Sequence, residues 1–458
     1  MEKIDLLNTR KTKLYAESTE LRKKLSEIID DSSFVELNAY AFGKNEFYGE
    51  GTETLGVLTG YATIDDYPVY IVAQNSKVCN GGLSKANCDK IVSCLEKALG
   101  TRTPVLYLLD SQGVQVGEGV AVLEGIASIL KLSNQLKDCV PQFAVAIGDV
   151  LGSTSLLCAN ADYTYVLDNS CIAYASPAVI SASNKNNTPK DVIGGSKSSN
   201  GVKSFVVKSL NEVKESVIKV LNILPEISGI LVDTDDDLNR SSLILNSKKD
   251  AKLIIDAVFD KDNFVELYKG YSDDVIVGIG RVGGISTGAI VFDGGEEGVE
   301  LNLSNVLKIQ NFASYVIDNN LPLLTFVNTK GIKTDLETSS TPVMCELMNT
   351  LYNLSNTARV SVVYGKAIGL GYTAFASKEF GNVYTYAFSD AKISLFDGEV
   401  GTAIEFGTFE KEKLQELKEK YAEMQDVFNS AKLGCVDNII EPQFVRQYVI
   451  SALQTIVR

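Results

Sequence analysis

The 458-residue chain contains no histidine, and that absence removes more chemistry than most residues supply. Ser-His-Asp and Cys-His nucleophile systems need an imidazole, as do histidine-ligated metals. Cysteine is sparse and scattered: Cys79, Cys88, Cys94, Cys139, Cys158, Cys171, Cys345 and Cys435 form no CxxC pair. This argues against a zinc ribbon and fits reduced thiols, with Cys158 and Cys171 reading as small buried residues. No apolar run approaches the roughly 18–20 residues of a membrane span. The start, Met1-Glu2-Lys3-Ile4-Asp5, is charged and has no signal-peptide core, so a cytoplasmic location is the expectation. Basic residues are in the minority, 43 Lys and Arg against 58 Asp and Glu, for a net charge of −15. That argues against a nucleic-acid partner. Chemistry is left to carboxylates, hydroxyls, lysines, backbone amides and the substrate, with no metal.

What the chain does have is a repeat. Phe34-Val35-Glu36-Leu37 recurs as Phe264-Val265-Glu266-Leu267. Gly60 answers Gly280, Pro104-Val105-Leu106 answers Pro322-Leu323-Leu324, and Gly113 answers Gly331. Gly148 and Gly152 answer Gly365 and Gly369, and Tyr163-Thr164-Tyr165 answers Tyr384-Thr385-Tyr386. The order is kept while the register drifts, as in an old duplication. A chain this long supports two ordinary domains, expected at 1–235 and 236–458, with the charged residues 233–240 as linker.

The repeated unit reads strand, glycine turn, helix, which indicates an α/β fold. An amphipathic entry helix is expected over about residues 11–30, with Leu14, Leu21, Leu25 and Ile28 at helical spacing. The strand Val105-Leu106-Tyr107-Leu108-Leu109 ends in Asp110-Ser111-Gln112-Gly113, and a helix follows with Val120, Leu123, Ala127 and Leu130 on one face. Phe143-Ala144-Val145-Ala146-Ile147 runs into Gly148-Asp149-Val150-Leu151-Gly152-Ser153. Residues 181–200 are polar and read equally as a loop near the site or a solvated insertion. The Lys/Glu-rich residues 410–423 read as a helix with a wet face.

A glycine turn at a strand's C-terminal end lets backbone approach a ligand. A helix starting there points free N–H groups outward, with the helix dipole behind them. Two such amides stabilise an oxyanion or enolate without any titrating side chain. No GxxxxGK[ST] is present, so these are not phosphate loops. Ser111 and Ser153 sit on the turns, where serine is ordinary hydrogen-bonding punctuation.

On these motifs the chain resembles the carboxyltransferase subunit of biotin-dependent acyl-CoA carboxylases and decarboxylases, two tandem crotonase-like domains related by duplication. Gly56-Val57-Leu58-Thr59-Gly60-Tyr61 resembles that family's first strand, and Asp110-Ser111-Gln112-Gly113-Val114 stands for its Asp-Ser-Gly-Gly-Ala. Gly148-Asp149-Val150-Leu151-Gly152-Ser153 is similar to Gly-Pro-Cys-Ala-Gly-Gly, and Ile193-Gly194-Gly195-Ser196 to Leu-Gly-Gly-Ala. Lys366-Ala367-Ile368-Gly369-Leu370-Gly371-Tyr372 resembles Lys-Ala-Tyr-Gly-Gly-Ala-Tyr. Gly434-Cys435-Val436-Asp437-Asn438-Ile439-Ile440-Glu441-Pro442 resembles the terminal Gly-Tyr-Ile-Asp-Asp-Val-Ile-Glu-Pro. The chain departs from the pattern at Gln112, Val114, Gln115, Ser153 and Leu370, and it lacks a His after Gly195.

The resemblance implies CO2 transfer between N-carboxybiotin on a separate carrier protein and the carbon beside a coenzyme A thioester. It places amides of Gly113, Val114, Gly152 and Ser153 on the thioester oxygen, and those of Leu370 and Gly371 on the biotin ureido oxygen. Ser111, Gln112, Gly194, Gly195, Gly331 and Gly369 would line the substrate. The N-terminal domain would take the acyl-CoA and the C-terminal domain biotin. A site shared between subunits implies a homo-oligomer, a dimer or a trimer of dimers. The partners implied are a biotin carrier protein and either a biotin carboxylase or a membrane decarboxylase subunit. Two alternatives stand beside this: a malonate-decarboxylase-type subunit acting on an acyl-carrier-protein thioester, and a non-catalytic scaffold of the same fold.

Overall fold

The computed structural model describes residues 2–41, 56–137, 139–184, 204–224, 234–333, 341–407 and 411–457. It divides into two compact units, Met1–Leu221 and Asn222–Arg458. Residues 234–240, the charged stretch, belong to the second. Among the described residues no helix is long and apolar enough to cross a membrane.

The first unit carries one sheet of β1 (Val35–Leu37), β2 (Val57–Ile64), β3 (Tyr67–Gln74), β4 (Val105–Ser111), β5 (Gln142–Leu151), β6 (Tyr163–Leu167), β7 (Cys171–Ala173) and β8 (Ser204–Val207). Their order is β1-β2-β3-β4-β5-β6-β8, with β7 beside β5. The second unit carries β9 (Phe264–Leu267), β10 (Val275–Val282), β11 (Ile285–Phe292), β12 (Val299–Leu301), β13 (Leu323–Ile332), β14 (Arg359–Ile368), β15 (Asn382–Phe388), β16 (Lys392–Ser394) and β17 (Asn438–Ile440). There the order is β9-β10-β11-β13-β14-β15-β17, with β12 beside β13 and β16 beside β14. In each sheet the first three strands are antiparallel and the rest parallel. β4 is buried on both faces over residues 105–109 and β13 over residues 323–329, which is why the first reads as an unbroken apolar run and the second as one interrupted only by Thr325 over its first five residues.

The duplication extends to polar anchors. The β2–β3 hairpin turns on Asp65-Asp66, both at positive φ, and their amides donate to the two oxygens of Asp30 at 3.0 Å each. The β10–β11 hairpin turns on Gly283-Gly284, whose amides donate to Asp260 at 2.8 and 2.9 Å. A two-residue turn with both central φ values positive matches the strand twist, and a carboxylate beneath it satisfies both amides.

Register corrects one expected pairing. Val35 and Glu36 oppose Tyr61 and Gly60, whereas Val265 and Glu266 oppose Ile279 and Gly278. Gly60 therefore answers Gly278, not Gly280. In each case the glycine leaves room for the ring of the phenylalanine that opens the repeat, Phe34 or Phe264.

Two helices also differ from expectation. The entry helix spans Glu2–Ser26, so it starts earlier, and Ile28 is buried just past its end. The helix Val120–Lys137 buries Val122, Ile126, Ile129 and Leu136, leaving Val120 and Leu123 exposed. Its core face is the neighbouring one, because Cys88 of the helix Lys85–Thr101 packs at Gly125.

Candidate active site

In the first unit the turns after β4 and β5 meet. The Ser111 hydroxyl, fully buried, accepts the Gly113 amide at 3.1 Å and holds the turn shut. Thr154 Oγ1 donates to that same hydroxyl at 3.3 Å, tying in the second turn. Gln112 N–H donates to Asn80 O, and Leu83 bridges the next residues by donating to Gly113 O and accepting from Gln115 N. In such a bridge the intervening residue, Val114, directs its amide away from Leu83. The Val114 amide is thus left unused by that bridge, while the Gly113 amide is taken by Ser111 and Gly113 supplies the conformation (φ +115). Gly152, at φ +64, comes so close that a Cβ there would lie 3.3 Å from Gly113 Cα. The 3₁₀ turn Gly152–Thr154 starts there with no side-chain cap, so its first amides have no partner inside the turn.

The second unit repeats the arrangement. Thr329 Oγ1 accepts the Gly331 amide at 3.0 Å, as Ser111 does for Gly113. Gly369, at φ +53, donates to Ser394 O at 2.9 Å and opens the helix Leu370–Phe375, again without a side-chain cap. The Leu370 and Gly371 amides are therefore first-turn donors with no partner inside their helix. Beneath each turn a glycine on the next strand admits a polar side chain: Gly148 stands over Asp110, Gly365 over Asn328. Any Cβ would run into those groups.

The side chains around the turns differ. A cavity of about 930 Å³ opens beside Gly369 and Leu370 and is lined by Lys330, Lys366, Lys392, Leu395 and Val400 among others. Lys366 pairs with Asp397 at 3.2 Å, and Asp397 also accepts the Gly398 amide at 2.9 Å. Lys330 pairs with Glu297 at 2.8 Å. That hydrogen bond, and secondarily the charge of Lys366, holds the Glu297 carboxyl below its usual range; the same bond raises Lys330. By register the three lysines stand where the first unit has Gln112, Asp149 and Cys171.

The structure thus groups Ser111, Gln112, Gly113, Val114, Gly152 and Ser153 at one pair of turns, and Gly331, Gly369, Leu370 and Gly371 at the other. Gly194 and Gly195 lie outside the described residues. Sequence reasoning missed the lysines and Glu297 as lining groups. Setting the two halves side by side would have exposed the charge change at matched strand ends.

A duplicated α/β sheet whose paired glycine turns carry uncapped amides defines a crotonase-like double domain. Residues 18–458 match the carboxyl transferase domain family, and the chain belongs to it. It is a carboxyltransferase by that membership. It is 27% identical to the methylmalonyl-CoA decarboxylase subunit alpha of Veillonella parvula, over 99% of this chain and 95% of that one. It is 25% identical to the methylmalonyl-CoA carboxyltransferase 12S subunit of Propionibacterium freudenreichii subsp. shermanii, over 94% and 87%. The human mitochondrial propionyl-CoA carboxylase beta chain is 26% identical, over 95% and 85%. Among solved structures, the transcarboxylase 12S hexamer with methylmalonyl-coenzyme A bound superposes with a TM-score of 0.89 at 23% identity, covering 98% of this chain and 94% of that one. The crotonase-like double-domain fold is shared.

Proposed function

We propose that this chain moves a carboxyl group between biotin, borne on a separate carrier protein, and the carbon next to the thioester of an acyl-CoA. The observation that carries the reading is the recurrence, at equivalent turns of both units, of uncapped amides beside a buried Ser or Thr clamp. In the first unit, Val114 and the first amides of the Gly152 turn polarise the thioester oxygen as its α-carbon gains negative charge. In the second, Leu370 and Gly371 hold the biotin ureido oxygen, and the aliphatic Leu370, Leu395 and Val400 offer apolar surface to a bicyclic ring. Amides placed where charge develops are the main catalytic device, and orientation supplies much of the rest. A proton acceptor on the substrate side removes the need for a protein base in a chain without histidine.

On this reading the N-terminal domain serves the acyl-CoA and the C-terminal domain the carrier. The protein works in the cytoplasm as a homo-oligomer, a dimer or trimer of dimers. A biotin carrier protein, with a biotin carboxylase or a membrane decarboxylase subunit, completes the system. Incubating the purified protein with carboxyl-labelled malonyl- and methylmalonyl-CoA and a biotin amide tests it. Label leaving the thioester only when the biotin amide is present is the expected result. A folded protein that transfers label from none of these thioesters overturns the reading.

A further inference from the structure

Lys330 and Lys366 end neighbouring parallel strands, yet both ammonium groups converge on a single oxygen, Glu297 Oε2, at 2.8 and 3.7 Å. The two lysines are mostly buried, with side chains 23% and 14% exposed, whereas Glu297 is 79% exposed. The chain thus holds one of its own carboxylates at the mouth of the cavity beside Leu370. Because only the glutamate is exposed, its carboxylate can swing into water while the lysines stay in place, which lets an incoming anion exchange with it. Asp397 grips Lys366 from the other side at 3.2 Å and keeps it aimed inward when Glu297 leaves. Asn328 anchors the segment behind Glu297 by donating to Gly295 O at 2.6 Å, so displacement needs only the glutamate side chain to move. The matching positions of the first unit, Gln112 and Asp149, offer no cation.

We infer that Lys330 and Lys366 form a carboxylate-binding subsite beside the Leu370 and Gly371 amides, with Glu297 as its displaceable internal occupant. Two lysines on one oxygen suit a compact carboxylate, the charge state of a carboxyl group in transit. That choice of source rests on the proposed transfer reaction; the binding site itself does not.

The test titrates malonate, malonamide and inorganic phosphate into the full-length protein, followed by calorimetry at low salt. Malonate binds wild type and malonamide does not. The K330Q/K366Q double variant lowers malonate affinity about tenfold or more, and E297Q raises it severalfold. K330Q alone, folded by circular dichroism, gives an intermediate loss and guards against misfolding of the double variant. Malonate also inhibits transfer competitively against the biotin amide and not against the thioester. Unchanged affinity in the lysine variants, weaker binding in E297Q, or phosphate binding more tightly than malonate overturns the inference. Competition against the thioester alone overturns the placement on the biotin side. Correct malonate behaviour in a protein without transfer activity sinks the transferase reading and leaves the subsite standing; the reverse combination sinks only the subsite.

Discussion

Position by position, Ser111 in the first unit answers Thr329 in the second, Asp110 answers Asn328, Gly148 answers Gly365 and Gly152 answers Gly369. The clamp, the polar group under the turn and the two glycines are common to both. The surroundings are not: the first turn has Ser153 beside it and Tyr174 exposed above, the second has Leu370 and Leu395 with lysines behind. Duplication kept the backbone device that holds an oxygen and changed the side chains that choose whose oxygen it is. Amide direction is set by the turn, so it survives substitution; charge and shape at the rim are free to diverge.

The comparison breaks most severely if one unit loses an amide. Leu370 is the first residue of its helix, where proline fits the backbone and merely lacks the N–H. L370P is expected to lower kcat by about 10²–10³-fold, the usual effect of removing one oxyanion donor. L370A, which keeps the amide, stays within a few-fold of wild type. S153P in the first unit should produce a loss of the same order. Steady-state transfer with each substrate varied in turn provides the check, and a fully active L370P would mean that the second turn holds no developing charge.

A smaller break exploits the groups under the turns. Asn328 is 1% exposed, donates to Gly295 O and accepts the Lys366 amide at 2.9 Å, roles that need both ends of an amide. N328D sets a carboxylate oxygen against a carbonyl and costs about 2–4 kcal/mol. Asp110 accepts from Ser76 Oγ at 2.6 Å, and an amide oxygen serves that purpose as well. D110N should therefore cost no more than about 1 kcal/mol. Thermal unfolding of the two variants side by side tests the asymmetry, and equal losses would show that the polar group is interchangeable between units.

The strand-turn-helix order and the glycine turns were legible in the sequence because a residue without Cβ is the local solution wherever backbones touch, as at Gly113 and Gly152. The Ser111–Gly113 and Thr329–Gly331 clamps each lie within three residues, yet from sequence Ser111 reads only as turn punctuation and Thr329 does not stand out, because a serine or threonine before a glycine is common in turns of every kind. The pairing of Gly60 was not, because its partner is fixed by a ring arriving from another strand, Phe34, across an insertion. Periodicity gave the helix Val120–Lys137 but not its buried face, which depends on what packs against Gly125. The convergence of Lys330 and Lys366 on Glu297 was hidden because three separate segments meet there only once the parallel sheet has formed.

The mildest test concerns a feature the units share away from the turns. Lys90 and Lys308 occupy matching positions on helices capped by Ser84 and Asn302, and both are buried, at 4% and 1% exposure. Each donates to a backbone carbonyl, Lys90 to Val57 O at 2.7 Å and Lys308 to Ser272 O at 3.2 Å. Burial pushes both down to about 8 from the ordinary 10.5, against the opposing pull of Glu36 on Lys90 and of Glu266, Asp273 and Asp274 on Lys308. Between those two values the unfolded chain holds a proton that the folded chain has released, so stability rises with pH across that window and is flat for these groups below it. Each lysine contributes at most about 1.4 kcal/mol per pH unit to the slope. K90M and K308M should each flatten the rise in melting temperature from pH 8 to 10, and the double variant should flatten it about twice as much. Arg22 lies beside Glu36 and adds a repulsion to Lys90 that burial alone does not explain, so K90M need not equal K308M. A wild-type slope retained in both single variants would mean that these ammonium groups stay protonated throughout, and that the paired carboxylates, not burial, govern them.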